Sequence, residues 1–405
     1  MMQQDKNTKK PYGTPLFLLS FNLFIIMVGI GLVIPILPFY VEKFGADATT
    51  LGFLVAIFAF MQFIFAPIWG RLSDRIGRKP LITLGLFGFA LAEFIFAFAT
   101  GLWMLFLSRI IAGVFGAAIM PSAMAYVSDV TTPEKRGQGM GYLGAAMGFG
   151  IVVGPGIGGW LAEFSLSFPF LFAGIAASLA GLVSIFVLPE SLSKEAMQKT
   201  IDDNEKRDNQ FDLIKKALNS PVGFLLILVF MMSFALTIFQ AIFGFYALER
   251  FGYGPQEVGL IILLTGIVGT VTQGAAVGRL VAKFGDERVV TSALLLSAFG
   301  FVIMTFANSF ATVLLTTSIF FLGNSILRPS LNTFISKLAG SKQGMIMGLN
   351  NSFMSLGNVA GPILAGYVFE YHINLPYYIG AILMLTALTS TKIWISKRQH
   401  TNVSA

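Results

Sequence analysis

Two charged residues stand deep inside apolar runs: Glu93 in GFALAEFIFAF and Arg109 in LFLSRIIAGVF. A carboxylate held away from water can exchange a proton, and a guanidinium beside it can govern when that exchange happens. Each lies about seven residues from the outer end of its run, roughly 10 Å deep at 1.5 Å per helical residue, and the two runs are consecutive and antiparallel. The spacing therefore predicts that they meet. Two roles stay open for them: a fixed ion pair that makes each charge tolerable, or a proton-coupling site whose partner withdraws as the protein changes shape.

A third inner charge, Arg328, precedes Pro329 and is read either as a snorkelling side chain or as part of a cavity wall. Asn22, Gln62, Gln240, Asn324 and Asn350 place amides in otherwise apolar helices, where they bond a neighbouring helix or line a cavity. With Arg328 and Phe243, whose ring suits flat amphipathic ligands, they form the candidate substrate-binding set. His372 and His400 fall in an outer loop and in the tail. There is no cysteine, no His/carboxylate metal cluster, no nucleophile elbow and no phosphate-binding lysine motif. No metal, no cofactor and no enzymatic activity is expected.

The stretch GRLSDRIGRKPL at 70–81 sets four basic residues and an aspartate between two apolar runs, and is expected to form a charged turn. A weaker copy, GRLVAKFGDERV, follows at 278–289. Gly70 and Gly77 map onto Gly278 and Gly285 at an offset of 208, as Pro121 does onto Pro329, and GPGIGG at 154–159 maps onto GPILAG at 361–366 at an offset of 207. The register indicates an internal duplication. The loop residues Gly70, Asp74, Arg75, Gly77 and Arg78, together with Asp129, are gating candidates. Gly154 and Pro155, which permit close helix contact and a kink, are two more.

The elements that must position these residues follow from composition. A chain of 405 residues that is 55% hydrophobic and 12% charged, with 41 Phe, is too apolar for a soluble domain. Twelve stretches, from 16–40 through 375–395, are long enough to cross a bilayer. Alternating the loops between two sides places almost every Lys and Arg outside the spans on the side with both termini, which predicts cytoplasmic termini. The net charge of +7 is thus a topology signal and calls for no nucleic acid. Residues 189–220 carry seven acidic and six basic side chains, a charged cytoplasmic linker. It separates a six-helix half at 1–188 from another at 221–405. The expected fold is an all-α membrane protein with twelve transmembrane helices in two pseudo-symmetric halves, a standard transporter design surrounded by membrane lipids.

In its motifs the chain resembles the major facilitator superfamily. GRLSDRIGRKPL looks like that family's loop signature, LSRIIAGVFGA like its fourth-helix motif, and GIVVGPGIGG like the fifth-helix motif of its drug/proton antiporters. GIGLVIPILPFY, LRPSLN and GLNNSFMSLGNVAGP are similar to Gram-positive quinolone-type multidrug efflux pumps, and the first half is more distantly similar to tetracycline efflux antiporters. The resemblance implies that Asp74 caps a neighbouring helix, that Arg78 pairs with Asp129, and that Gln62 and Asn350 line the cavity. It further implies export of small amphipathic molecules in exchange for protons, by a monomer. Many such relatives carry a glutamate in the seventh span and an aspartate in the tenth; here those places hold Gln240 and Ser325, which carry no proton. Transport of a native metabolite, sugar or lipid on the same scaffold is the alternative.

Overall fold

A computed structural model describes residues 13–193, 195, 197–198, 222–339 and 343–403. The three lysines before residue 13, most of the 189–220 segment and the side chains of 398–403, His400 included, lie outside the described residues.

Twelve helices are long and apolar enough to span a membrane. In the first half they are α1 (Gly13–Lys43), α2 (Ala48–Ile76), α3 (Arg78–Ala97), α4 (Leu102–Val130), α5 (Pro133–Leu161) and α6 (Phe168–Val187). The second half contributes α7 (Gly223–Phe251), α8 (Pro255–Ala275), the short α9 (Val277–Phe284), α10 (Asp286–Met304), α11 (Phe310–Ala339), α12 (Gln343–Phe369) and α13 (Leu375–Val403). Among the described residues there is no strand. Exposed Phe, Leu and Ile side chains cover the outside, including Phe186, Phe17 and Leu315, as a lipid-facing surface requires. The chain is a multi-pass membrane protein. For brevity, the side bearing both chain ends is called the terminal side and the opposite one the far side. Trp103 and Trp160 stand exposed at far-side helix ends, where an amphipathic ring suits the interface.

Hydropathy alone misjudges where these helices stop. The expected charged turn at 70–81 is almost entirely helical: α2 continues through Arg71, Asp74 and Arg75 to Ile76, and α3 begins at Arg78. Charged residues continue a helix readily, so the turn shrinks to Gly77, whose φ of 106° an L side chain rarely adopts. Gly285, with φ 80°, makes the same corner between α9 and α10. The far-side start of α2 is set by Asp47, which accepts hydrogen bonds from the Thr50 N–H at 2.8 Å and the Thr50 hydroxyl at 2.7 Å. These bonds, the hydroxyl's first, hold the Asp47 carboxyl below its ordinary pKa.

Packing follows one pattern twice. In the first half α1 packs on α5 and α6, α4 on α2 and α3, and α3 on α6. In the second α7 packs on α12 and α13, α11 on α8 and α10, and α10 on α13. Between these groups the main contacts are crossed: α2 lies on α12 and α5 on α8. The duplicated sequence therefore produces a duplicated contact map.

Candidate functional site

Helices α3 and α4 bring Glu93 and Arg109 together. Both are buried, at 0% and 4% exposure, and Arg109 Nη2 donates to Glu93 Oε1 at 3.4 Å. The pair is incompletely satisfied, since Glu93 Oε2 and Arg109 Nε have no partner. Aromatic faces supply the remaining contacts: the guanidinium carbon lies 4.8 Å from the Phe96 ring centre and 5.8 Å from that of Phe58 on α2. One turn along α4, Gly113 lets that helix close on the Phe58 carbonyl and the Met61 side chain. Motion of α2 relative to α4 is thus felt at the pair.

On the terminal side, Arg78 ties three helix ends. Its Nη1 meets Asp74 Oδ1 at 2.5 Å and Ser73 Oγ at 3.1 Å, and its Nε donates to Asp129 Oδ2 at 3.1 Å. Asp129 also accepts from Ser191 Oγ at 2.9 Å. Asp74 is engaged by Arg78 rather than capping a neighbouring helix, which departs from what the resemblance implied; the cap of α3 comes from elsewhere. Glu190 accepts from the backbone N–H groups of Arg78 at 2.9 Å and Lys79 at 3.1 Å. No sequence signal singled out Glu190, one acid among seven in a charged segment. Arg75 is exposed and enters no ion pair among the described residues, and Gly70 sits beside Pro121 of α4.

The second half answers with an ion pair that the sequence reading also missed, Lys337 Nζ to Asp286 Oδ2 at 2.5 Å. Asp286 and Lys337 are Arg78 and Asp129 advanced by 208 positions, with the charges exchanged. The offset was legible; the polarity hid the match.

The far side is closed by small residues. A side chain on Gly52 of α2 would strike the Pro362 carbonyl of α12, and one on Gly366 would strike that of Ala48. At the matching crossing, Gly259 of α8 abuts the Pro155 carbonyl of α5, and Gly159 that of Pro255. Gly154 fits against α1 at Val28 and Gly31, so Gly154 and Pro155 bind α5 to both α1 and α8. Glu370, just beyond α12, reaches across to the N terminus of α2 and accepts from the N–H groups of Ala48 at 2.7 Å and Thr49 at 3.4 Å. On the terminal side these same helices diverge: Gly141, Gly144 and Gly148 of α5, Gly274 of α8 and Gly344 and Gly348 of α12 have open space where a side chain would stand.

A gap between the halves follows. Helix α4 is flanked by α1, α2, α3 and α5, and α11 by α7, α8, α10 and α12. Their exposed strips therefore face each other, with Met120 and Met124 on α4 and Arg328 on α11. Arg328 lies about 5 Å from the middle of its helix, and among the described residues its one side-chain hydrogen bond is to Met354 Sδ of α12 at 3.4 Å. Gln240 and Gln62 are half-buried, the latter beside Gly116. Other expected pocket residues sit elsewhere in this conformation. Asn22 is fully buried and donates to Ser184 Oγ of α6 at 2.7 Å. Phe243 is fully buried and stacked on Phe239. Asn324 donates to its own helix at the Phe320 carbonyl, and Asn350 donates to Asn332 Oδ1 at 3.3 Å. Helix rotation, which hydropathy does not report, decides these cases. Among the described residues no group of three or more His, Asp or Glu side chains is placed to hold a metal.

This architecture has known counterparts. Multidrug resistance protein 2 of Bacillus subtilis is 38% identical over 98% of this chain and 98% of its own length. Quinolone resistance protein NorA of Staphylococcus aureus is 33% identical, over 95% of this chain and 97% of its own. Among solved structures, a nucleoside transporter, NupG, superposes with a TM-score of 0.75 at 14% identity, covering 94% of this chain and 99% of that one. A bacterial homolog of the human lysosomal transporter Spinster, in an inward-facing and occupied conformation, gives 0.72 at 13% identity, covering 94% of each. These likenesses show the fold. The sequence model described as Major Facilitator Superfamily matches residues 19–276 and 225–405, and the chain belongs to that superfamily.

Proposed function

We propose that this protein is a secondary active exporter of amphipathic drugs and related small molecules, working by alternating access in exchange for protons. The observation that carries the reading is the asymmetry of the gap: the halves touch at small residues on the far side and stand apart on the terminal side. With the basic residues gathered on the terminal side, that side is cytoplasmic, and the gap opens inward to collect substrate. The two halves, 1–188 and 221–405, move as units joined by the 189–220 linker, and a single chain suffices. The names of the relatives supply the substrate class.

Glu93 carries the coupling proton and Arg109 governs it. A buried pair held by a single 3.4 Å bond is costly in the charged form, so a small withdrawal of Arg109 favours proton uptake. The withdrawal is tied to transport through α2, which bears Phe58 against the guanidinium at one level and Gly52 against Pro362 at another. The gating residues Asp74, Arg78, Asp129, Gly154 and Pro155 hold the helix ends and crossings that exchange partners.

The test is uptake of a cationic dye and of a fluoroquinolone into inverted vesicles, with and without an imposed proton gradient. Gradient-driven accumulation by wild type that Glu93→Gln abolishes, with the variant folded and inserted, is the expected result. Accumulation that survives the substitution removes Glu93 from the coupling step. No accumulation of either compound by wild type rejects drug export.

A further inference from the structure

We infer that the gap selects amphiphiles bearing an anionic oxygen group, a carboxylate or sulfonate, and that Arg328 reads that group. The inference rests on the export reading above and narrows its substrate class.

Arg328 lies close to the middle of a spanning helix with its side chain exposed to the gap. Ion pairs among the described residues join Arg78, Arg109 and Lys337 to acids, and Arg328 is in none of them. A thioether is a weak acceptor, and a guanidinium offers five donors. At this depth such a charge needs an anion or water to be tolerable. Among the described residues no acid pairs with it: the only acid deep within any span is Glu93, and it is committed to Arg109 inside the first half. Gln240 and Ser325, also on helices bordering the gap, are neutral. The field in the gap is therefore positive, attracting a carboxylate and opposing a permanent cation.

The geometry also sets a length. Phe321 stands two turns from Arg328 on the same strip of α11, about 10 Å along the axis, and meets Phe239 of α7 edge-on at 5.4 Å. Met354 borders the Arg328 end, and the methionine side chains of α4 face it across the gap. A flat aromatic body with an acidic group at one end spans these features: the guanidinium forks onto the two anionic oxygens while the rings lie against Phe321.

The experiment compares a rhodamine carrying a free carboxylate with its methyl ester, which has the same ring system and a net positive charge. Binding to the purified full chain is read by fluorescence anisotropy in neutral detergent, with and without added phosphatidylglycerol. A charge-assisted contact contributes roughly 1.5 kcal/mol or more, so wild type should bind the acid at least about tenfold tighter than the ester. Arg328→Gln should reduce that ratio to near one, and Arg328→Lys should keep part of it. Phe321→Ala should weaken both dyes and leave the ratio in place. Equal affinities in wild type, a preference for the ester, or a ratio that survives Arg328→Gln each overturns the inference. So does loss of the preference on adding phosphatidylglycerol, which would assign Arg328 to a lipid phosphate. Vesicle transport of the same two dyes is scored separately: a binding preference without movement of either dye would reject export and leave the anion site standing.

Discussion

Removing the Glu370 side chain should open the far side. Among the described residues its carboxylate accepts the side-chain hydrogen bonds that cross between the halves there, capping α2 from beyond α12 at 2.7 Å to Ala48 and 3.4 Å to Thr49. A cap of this kind contributes about 1 kcal/mol, and a negative charge at a helix N terminus adds about 0.5 kcal/mol when exposed to solvent. Glu249 lies within electrostatic reach of Glu370, but both belong to the second half, so their repulsion is common to the two states and cancels. The net for Glu370→Ala is then about 1.5 kcal/mol, a change of about tenfold in the ratio of far-side-open to far-side-closed molecules. Glu370→Gln keeps a carbonyl acceptor and loses only the charge, so it should move the ratio about twofold. The chain contains no cysteine, so spin labels on Lys43→Cys and His372→Cys report alone. Both sites are exposed, and they flank the far-side seam from opposite halves. Distance distributions between the labels give the two populations directly. An unchanged ratio for the alanine variant refutes the latch, and an equal shift for glutamine and alanine refutes the hydrogen-bond account of it.

Two further perturbations test the seam and its terminal-side counterpart. Gly366→Leu places a side chain against the Ala48 carbonyl and should hold the far side open, which the same label pair would register as loss of the short-distance population, with transport falling at least about tenfold. Arg78→Asp sets a fourth carboxylate among Asp74, Asp129 and Glu190 and should cut transport by more than about tenfold. Adding Asp129→Lys recreates the polarity found at Asp286 and Lys337, and should restore part of the activity; Asp74→Asn on top should restore more, because Asp74 would otherwise repel the new aspartate. No gain from either addition would show that charge pairing is not what the cluster supplies.

What could be read from the sequence was depth, and what could not was direction. Apolar length located every span, and the depths of Glu93 and Arg109 on consecutive antiparallel helices were enough to bring them together. Residue type put Asn22 and Phe243 in the candidate substrate-binding set, yet Asn22 turns toward Ser184 of α6 and Phe243 toward Phe239. Which face of an all-round apolar helix meets a neighbour depends on small residues on both partners, such as Gly154 against Gly31, and no single helix records it. Glu190 and Glu370 were invisible for a different reason. Each sits in a polar flank where a solvated acid is the ordinary expectation, and its role exists only because another helix starts within reach.

The exchanged polarity of the two terminal-side pairs has a physical consequence for the linker. Asp286 lies at the N terminus of α10, where the helix dipole favours a carboxylate, so the second-half pair with Lys337 agrees with the backbone that carries it. Arg78 occupies the corresponding position on α3, where the dipole disfavours a cation. The first half offsets this with three acids: Asp74 and Asp129 on the guanidinium, and Glu190 on the free N–H groups of the helix end. Glu190 is the second residue of the 189–220 linker, and its neighbour Ser191 bonds Asp129. The first-half corner is therefore complete only when the start of the linker is docked on it, whereas among the described residues the second-half pair involves no linker side chain. A pull on the start of the linker as the halves separate therefore acts on Glu190 and Ser191, and through them on the terminal-side ends of α3 and α4.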